Sequence, residues 1–452
     1  MNQLLNAPTQ GGAGANASLS QERYPKNNGS ILHNSSNPLN TSTSSAISGG
    51  RPKLSLQHGN LRQKTLYQSK CTLRSHFDSV RGLQFVNTGH GSQSLVSASE
   101  DCMLKLWDAS KFGSLRELGS GDIEPYMTVR GHRQPITALS GRDHLFPTGS
   151  SANIVISGST NGQIKAWSMP SATQVGDTFG PYKEGQPCIA TWENAHNSQP
   201  VWDIRIHPYE NIFLSLGADQ SIGLWQIPQQ KIIGDSLQTF VEESQDHSDK
   251  QQNSLLGRFR KHHQKALTGA YLMPTSCAWI SENDNSSDFV VSFSEPFLQI
   301  YDASSGKEKG MITYEYDQQK SMQSQQINKI AICEEQGLIV AGTEDNQIRF
   351  FDMKSNKQVK SFVAHTDSVT CLLVHSLQSA SKSTCPGHTL ISGGHDGAIR
   401  AWDLRTFHLL FDTTGLHRKK FDENVLALAA SDKYPIIASG GADSQIKVLH
   451  EQ

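Results

Sequence analysis

Ser97-Ala98-Ser99-Glu100-Asp101-Cys102-Met103-Leu104-Lys105-Leu106-Trp107-Asp108 is written into this chain several times. It returns as Ser157-Gly158-Ser159-Thr160-Asn161-Gly162-Gln163-Ile164-Lys165-Ala166-Trp167, and as Ser215-Leu216-Gly217-Ala218-Asp219-Gln220-Ser221-Ile222-Gly223-Leu224-Trp225. It returns again as Ser392-Gly393-Gly394-His395-Asp396-Gly397-Ala398-Ile399-Arg400-Ala401-Trp402-Asp403. Each copy reads as a short apolar strand ending in Ser, a tight turn at Asp or Asn, and a second strand alternating with a period of two. Upstream of each copy lies a His followed by Val or Ile that would open a further strand: His76 to Val80, His132 to Ile136, His196 to Val201 and His365 to Val369.

A repeat of this kind ending in Trp-Asp is the mark of a WD-repeat β-propeller, in which one repeat makes one four-stranded blade. Three more repeats are degenerate. Val291-Ser292-Phe293-Ser294-Glu295 leads to Tyr301-Asp302, Ala341-Gly342-Thr343-Glu344-Asp345 to Phe351-Asp352, and Ser439-Gly440-Gly441-Ala442-Asp443 to Leu449. The expected fold is therefore all-β, a seven-bladed propeller over 67–450. The chain stops just past Leu449, so the last blade lacks an outer strand. An extra strand precedes the first His, Ser69-Lys70-Cys71-Thr72-Leu73, and pairing it beside Ile446–Leu449 would close the ring and remove an open edge.

The fixed register of the polar residues predicts one buried hydrogen-bonded chain per blade, because such a network persists only when every member is satisfied. The expected sets are His76, Ser97, Asp101 and Trp107 in blade 1, and His132, Ser157, Asn161 and Trp167 in blade 2. Blade 3 would use His196, Ser215, Asp219 and Trp225, and blade 6 His365, Ser392, Asp396 and Trp402. Ser, His and Asp also suggest a hydrolytic triad. One catalytic site would not need its parts copied in every blade, so no catalytic residue is assigned. The adjacent pair His262-His263 lacks further spaced ligands, and no phosphate-binding Gly-rich loop occurs, so no metal or cofactor is expected.

Residues 1–66 hold one Glu, six Lys or Arg and a single aromatic residue, Tyr24, among Asn, Ser, Gln, Gly and Thr. Such a segment buries too little apolar surface to offset its ordering entropy, and a disordered tail is expected. The net charge of −2 argues against a nucleic-acid binder. No apolar run reaches membrane-spanning length, and the seven Cys form no Cys-x-x-Cys pair, which suits a cytoplasmic protein with reduced thiols. Excess length falls at Ser171–Gln186, Gln229–Thr268 and Leu377–His388. The longest of these reads as a structureless loop with an acidic half (Glu242, Glu243, Asp246, Asp249) and a basic half (Arg258, Arg260, Lys261, Lys265).

Several blocks resemble the striatin family. They are Thr72-Leu73-Arg74-Ser75-His76-Phe77-Asp78, Asp122-Ile123-Glu124-Pro125-Tyr126, Val291-Ser292-Phe293-Ser294, Gln326-Ile327-Asn328-Lys329 and His417-Arg418-Lys419-Lys420-Phe421-Asp422-Glu423. The last block sets Val425 eight residues past its His, where other repeats use four or five. The resemblance implies a non-catalytic scaffold holding protein phosphatase 2A subunits beside germinal-centre kinases and a Mob-family protein. It does not extend to a coiled coil or a calmodulin-binding segment, neither of which is legible in residues 1–66. Neither oligomerisation nor calmodulin binding is therefore carried over.

For a scaffold, aromatic and Arg side chains on a propeller rim are the expected contacts. Phe77, Arg81, Arg133, Trp202, Arg418, Lys419 and Lys420 are the candidates. Two other readings compete. Trp402-Asp403-Leu404-Arg405 fits the Trp-Asp-x-Arg box of substrate receptors on cullin-RING ubiquitin ligases, where Asp403 and Arg405 would make charge-assisted contacts to the adaptor. A cytoskeletal or trafficking scaffold would share the same sequence features.

Overall fold

In a computed structural model, the structure describes residues 67–88, 92–112, 123–142, 153–173, 175, 187–228, 230–233, 236–239, 254–261, 271–280, 287–315, 323–376 and 388–451. The tail expected over 1–66 lies outside them. The chain opens with β1 (Tyr67–Arg74). Blade 1 follows as β2 (Val80–Asn87), β3 (Gln93–Ser99), β4 (Met103–Asp108) and β5 (Met127–Arg130). Blade 2 is β6 (Ile136–Gly141), β7 (Ile154–Ser159), β8 (Ile164–Ser168) and β9 (Cys188–Trp192). Blade 3 is β10 (Val201–Ile206), β11 (Ile212–Gly217) and β12 (Ile222–Gln226). Its outer strand comes only after a hairpin of β13 (Gln230–Ile233) and β14 (Ser236–Thr239), as β15 (Leu255–Phe259).

Blade 4 is β16 (Pro274–Ile280), β17 (Asp288–Phe293), β18 (Phe297–Asp302) and β19 (Glu308–Thr313). Blade 5 is β20 (Ile327–Cys333), β21 (Leu338–Thr343), β22 (Gln347–Asp352) and β23 (Lys357–Val363). Blade 6 is β24 (Val369–Ser376), β25 (His388–Gly394), β26 (Ile399–Asp403) and β27 (Leu409–Thr413). Blade 7 is β28 (Val425–Ala430), β29 (Ile436–Gly441), β30 (Gln445–Glu451) and β1. The first strand of each blade packs on the first strand of the next, β28 on β2 included, so seven antiparallel sheets make a closed ring.

Closure has a specific register. β1 runs antiparallel to β30, with Ser69 opposite Leu449, Thr72 opposite Lys447 and Leu73 opposite Ile446. In blades 1 and 2 a third-strand Lys donates from its Nζ to a fourth-strand Thr, Lys105 to Thr128 at 3.2 Å and Lys165 to Thr191 at 2.9 Å. Lys447 donates to Thr72 at 3.1 Å, so β1 stands where an ordinary fourth strand would. Leu73, Ile446 and Val448 then pack with Val80 and Phe85 of blade 1 in one buried cluster. The last sheet edge is covered rather than left open for aberrant pairing.

The structureless loop expected over Gln229–Thr268 is corrected: it holds the β13–β14 hairpin and the outer strand of blade 3. Leu255, Gly257 and Phe259 alternate with the more exposed Leu256 and Arg258. Phe259 packs on Phe289 and Tyr301 of blade 4, each at 5.8 Å between ring centres. The supposed basic half is divided among fixed partners. Arg258 donates to the carbonyl of Ala195 at 2.7 Å, Arg260 sits 5.3 Å from the Tyr271 ring centre, and Lys261 bonds Glu308 at 2.6 Å. Lys265 and the acidic half lie outside the described residues.

Every first strand is bulged one residue after its start. Bulges re-aim a side chain. Here Thr137 and Thr370 each reach the next blade, donating to the carbonyls of Val201 and Val425 at 2.6 Å, and Asn328 donates to that of Val369 at 3.1 Å.

Candidate functional site: the blade networks and the rim

In blade 1 the indole N–H of Trp107 donates to Ser97 Oγ at 2.9 Å, Ser97 Oγ lies 2.8 Å from His76 Nε2, and His76 Nδ1 lies 2.8 Å from Asp101. An ionised Asp can only accept, so Nδ1 carries the proton and Nε2 accepts from the Ser hydroxyl. The bonds then run one way, Trp to Ser to His to Asp. Blade 3 repeats them through Trp225, Ser215, His196 and Asp219 at 2.8, 2.7 and 2.9 Å. Blade 6 repeats them through Trp402, Ser392, His365 and Asp396 at 2.9, 2.8 and 2.9 Å.

Burial opposes ionisation of Asp219 and Asp396. The bonds from His196 and His365 overcome it and hold both carboxyls below their ordinary value. The Ser-His-Asp spacing is that of a hydrolytic triad, yet Ser97, Ser215 and Ser392 are 0 % exposed and each already accepts an indole N–H. No substrate reaches a nucleophile so placed.

Blade 2 corrects the expectation for Asn161. Trp167 and His132 bond Ser157 at 2.8 and 2.7 Å, but Asn161 does not meet His132. Its side-chain oxygen accepts from Ser159 at 2.6 Å, and His132 Nδ1 is left buried without a hydrogen bond. An amide lacks the charge that would hold an imidazole N–H across this turn. Burial, helped by repulsion from Lys165 and only weakly opposed by Gln163, pushes His132 down to about 4.

The sign of the resulting pH dependence follows. An unfolded His takes up its proton near its ordinary value of about 6.5, while the folded one resists down to about 4. Its stabilising contribution is complete above the first value and falls between the two, by about 3 kcal/mol. Asn161→Asp supplies the carboxylate found in blades 1, 3 and 6. Urea unfolding is expected to show a gain of about 1 kcal/mol at neutral pH and a shallower loss towards pH 5. Equal midpoints and slopes for both proteins would contradict it.

Blade 7 has a network that the sequence reading left unassigned. His417 bonds Ser439 through Nε2 and Asp443 through Nδ1, both at 2.9 Å, with Leu449 in the Trp position. The signal was present in His417, but the long step to Val425 hid its register.

Alternation of the strands sets the loop before each first strand and the turn between the second and third strands at one end of the ring. The rim candidates gather there. Phe77 is 81 % and Trp202 44 % exposed; Arg133 and Arg418 are also exposed. Arg81 is committed internally, to Glu100 at 2.8 Å and Glu423 at 2.7 Å. Lys420 bonds Asp78 at 2.8 Å, and Lys419 bonds Asp367 at 3.3 Å.

Asp403 and Arg405 lie at the opposite end, in a turn between third and fourth strands. The Asp403 carboxylate accepts the backbone N–H of Arg405 at 2.9 Å and the Thr406 hydroxyl at 3.0 Å. Asp108, Asp302 and Asp352 cap the same turn in their blades by accepting the N–H of Ser110, Ser304 and Ser355. The Trp402-Asp403-Leu404-Arg405 box thus has a local structural use. Among the described residues no group of three or more His, Cys, Asp or Glu is placed to hold a metal, and no helix is long and apolar enough to cross a membrane.

Residues 67–108, 123–168 and 186–226 match the family described as WD domain, G-beta repeat, and residues 289–408 match the LRRK2 beta propeller family. Striatin-4 of Mus musculus is 30 % identical over 387 residues, covering 85 % of this chain and 43 % of the relative. Striatin-3 of Bos taurus is 31 % identical over 384 residues, 85 % of this chain and 41 % of the relative. Striatin of Mus musculus is 29 % identical over 385 residues, 85 % and 42 % of the two chains. The chain thus spans about two fifths of the length of the striatins it matches. With closed ring, repeat register and relatives in agreement, the chain is a WD-repeat β-propeller protein whose relatives are striatins.

Proposed function

We propose that this chain is a non-catalytic scaffold of the cytoplasm that brings protein phosphatase 2A subunits together with germinal-centre kinases and a Mob-family protein. The observation that carries the reading is the rim: exposed aromatic and Arg side chains stand on a rigid ring, where loops do the binding and the blades only position them. Likeness to the striatins supplies the partner classes, and the buried state of each Ser-His-Asp set supports a role without catalysis. The candidate contacts are Phe77, Arg133, Trp202, Arg418 and Lys419. Arg81 and Lys420 brace that surface through their ion pairs.

The test is capture from a cell lysate with the intact chain and with a Trp202→Ala, Lys419→Glu variant. Phosphatase subunits and kinases are expected with the intact chain, in yields about tenfold lower with the variant. Recovery of neither class by the intact chain overturns the scaffold reading. Recovery of a cullin adaptor that disappears on Arg405→Ala favours the ubiquitin-ligase reading instead.

A further inference from the structure

Between His417 and Val425 the chain makes a miniature hairpin. Lys420 and Glu423 exchange backbone bonds, Lys420 N–H to the Glu423 carbonyl at 2.9 Å and Glu423 N–H to the Lys420 carbonyl at 3.0 Å. The two residues at its tip, Phe421 and Asp422, have φ of 52° and 66°. Such turns select Asn-Gly or Asp-Gly, because both tip residues must be left-handed. A Phe in that conformation is strained, and backbone strain of this kind persists where surrounding contacts over-determine it, commonly at binding sites.

Those contacts are present. Lys420 is bonded to Asp78, and Glu423 is held by Arg81, so the hairpin is bolted across the seam between blades 7 and 1. What it presents is not buried: Phe421 is 87 % exposed. Phe77, next to Asp78, is 81 % exposed on the other side of that bond. The molecule therefore fixes two large apolar side chains in solvent at one seam, one of them on a strained backbone.

Around them unpaired cations outnumber unpaired acids. The residue after the network His is Arg418 in blade 7, Phe77 in blade 1 and Arg133 in blade 2, so the repeat places the aromatic between two Arg on consecutive blades. Arg418, Arg133 and the exposed Arg74 make no ion pair among the described residues. Most acids nearby are occupied, Asp78 by Lys420, Glu100 and Glu423 by Arg81, and Asp443 by His417, while Asp422 at the hairpin tip is exposed and lies 3.9 Å from Lys419. Lys447 is lowered first by burial; Asp443 opposes the shift, and Arg74 and Arg418 add smaller contributions to it.

We infer that the Lys420–Glu423 hairpin and Phe77 form a docking surface for an extended acidic segment of a partner protein. Apolar side chains of that segment would cover Phe77 and Phe421, and its carboxylates would meet Arg418 and Arg133. The inference rests on the scaffold reading and names the chemistry of one contact within it.

The test presents a random peptide library to the immobilised full chain and sequences the retained pool. The pool is expected to be enriched in Asp and Glu beside Phe, Leu or Trp. A Phe77→Ser, Phe421→Ser variant is expected to retain about tenfold less of it, with an unchanged melting temperature because both rings lie in solvent. Arg418→Glu with Arg133→Glu is a second variant that leaves the hairpin intact, and it is expected to lose the acidic pool as well. A neutral or basic pool, or equal retention by both variants, overturns the inference. So does sedimentation of the chain as a dimer that the Ser variant dissolves, which would make a second copy the occupant. Lysate capture separates the two readings. Phosphatase and kinase partners recovered equally with and without the two Phe leave the scaffold standing and remove this surface from it. Their absence from both captures removes the scaffold whatever the library shows.

Discussion

Trp225→Ala is expected to destabilise the propeller by about 3–5 kcal/mol, the cost of deleting a large buried aromatic side chain. Trp225 is 3 % exposed and lies 6.2 Å, centre to centre, from both Trp192 and Phe213. Its removal opens a cavity in the core shared by blades 2 and 3 and takes away the donor to Ser215. Trp225→Phe separates these effects. Phe351 and Tyr301 hold the equivalent place in blades 5 and 4, so a smaller ring fits the site, and the loss should fall to about 1 kcal/mol for the missing bond and its adjustments. Asp219→Ala is expected to cost about 1–3 kcal/mol, because His196 and Ser221 lose their shared acceptor. Urea melts of the three variants give the ranking. An alanine at position 225 no worse than the phenylalanine would mean that packing there carries little of the stability.

The ring could be read from the chain because each blade restates the same physics. A Ser at the end of the second strand, an Asp at the turn and a Trp on the third strand are meaningful only in combination, and the combination recurs. The closing strand was also legible, since β1 has no partner of its own in sequence and β30 lacks one on its outer side. The outer strand of blade 3 was not legible. Leu255–Phe259 is short, has Gly257 at its centre and follows its neighbour β12 only after a long insertion. Nothing local distinguishes such a strand from a basic loop. Asn161 was misread for a different reason. Asp and Asn make the same turn, by accepting from the residues that follow, but only the carboxylate also holds a His.

Pattern reading also missed a polar group in the channel wall, because it is written across blades rather than along one. The residue just after the bulge is Gly82, Ala138, Cys371 or Ala427 in four blades, but Asp203, Ser276 and Lys329 in blades 3, 4 and 5. Asp203 is 4 % exposed. One of its oxygens accepts from Ser276 Oγ at 2.8 Å and the Cys277 N–H at 3.2 Å; the other accepts from Lys329 Nζ at 2.9 Å and the Ile204 N–H at 3.1 Å. Lys329 lines a channel of about 230 Å³ together with Arg205 and the inner faces of blades 1, 2, 6 and 7. The Asp203–Lys329 bond therefore joins blades 3 and 5 past blade 4, the blade whose third strand offers Tyr301 in place of Trp.

Lys329→Met is expected to cost about 3 kcal/mol, because removing one member of a buried pair leaves the other charge uncompensated. The value stands at the low end of that range for a structural reason. Ser276 and two backbone N–H groups still bond Asp203, and Arg205 remains 3.8 Å away. Burial works against the Asp203 charge, and Lys329 with Arg205 holds its carboxyl below the ordinary value. Without Lys329 that carboxyl should rise, so the variant should lose less stability as pH falls towards the carboxylate range. Adding Asp203→Asn to Lys329→Met removes the stranded charge while keeping an acceptor for Ser276, and is expected to recover more than half of the loss. Denaturant melts of the two single variants and the double variant measure the coupling. If the double variant loses the sum of the singles, Asp203 and Lys329 act independently, and degenerate blade 4 is held without that pair, by its apolar packing and by the bonds of Trp279 and Cys277 to Arg205.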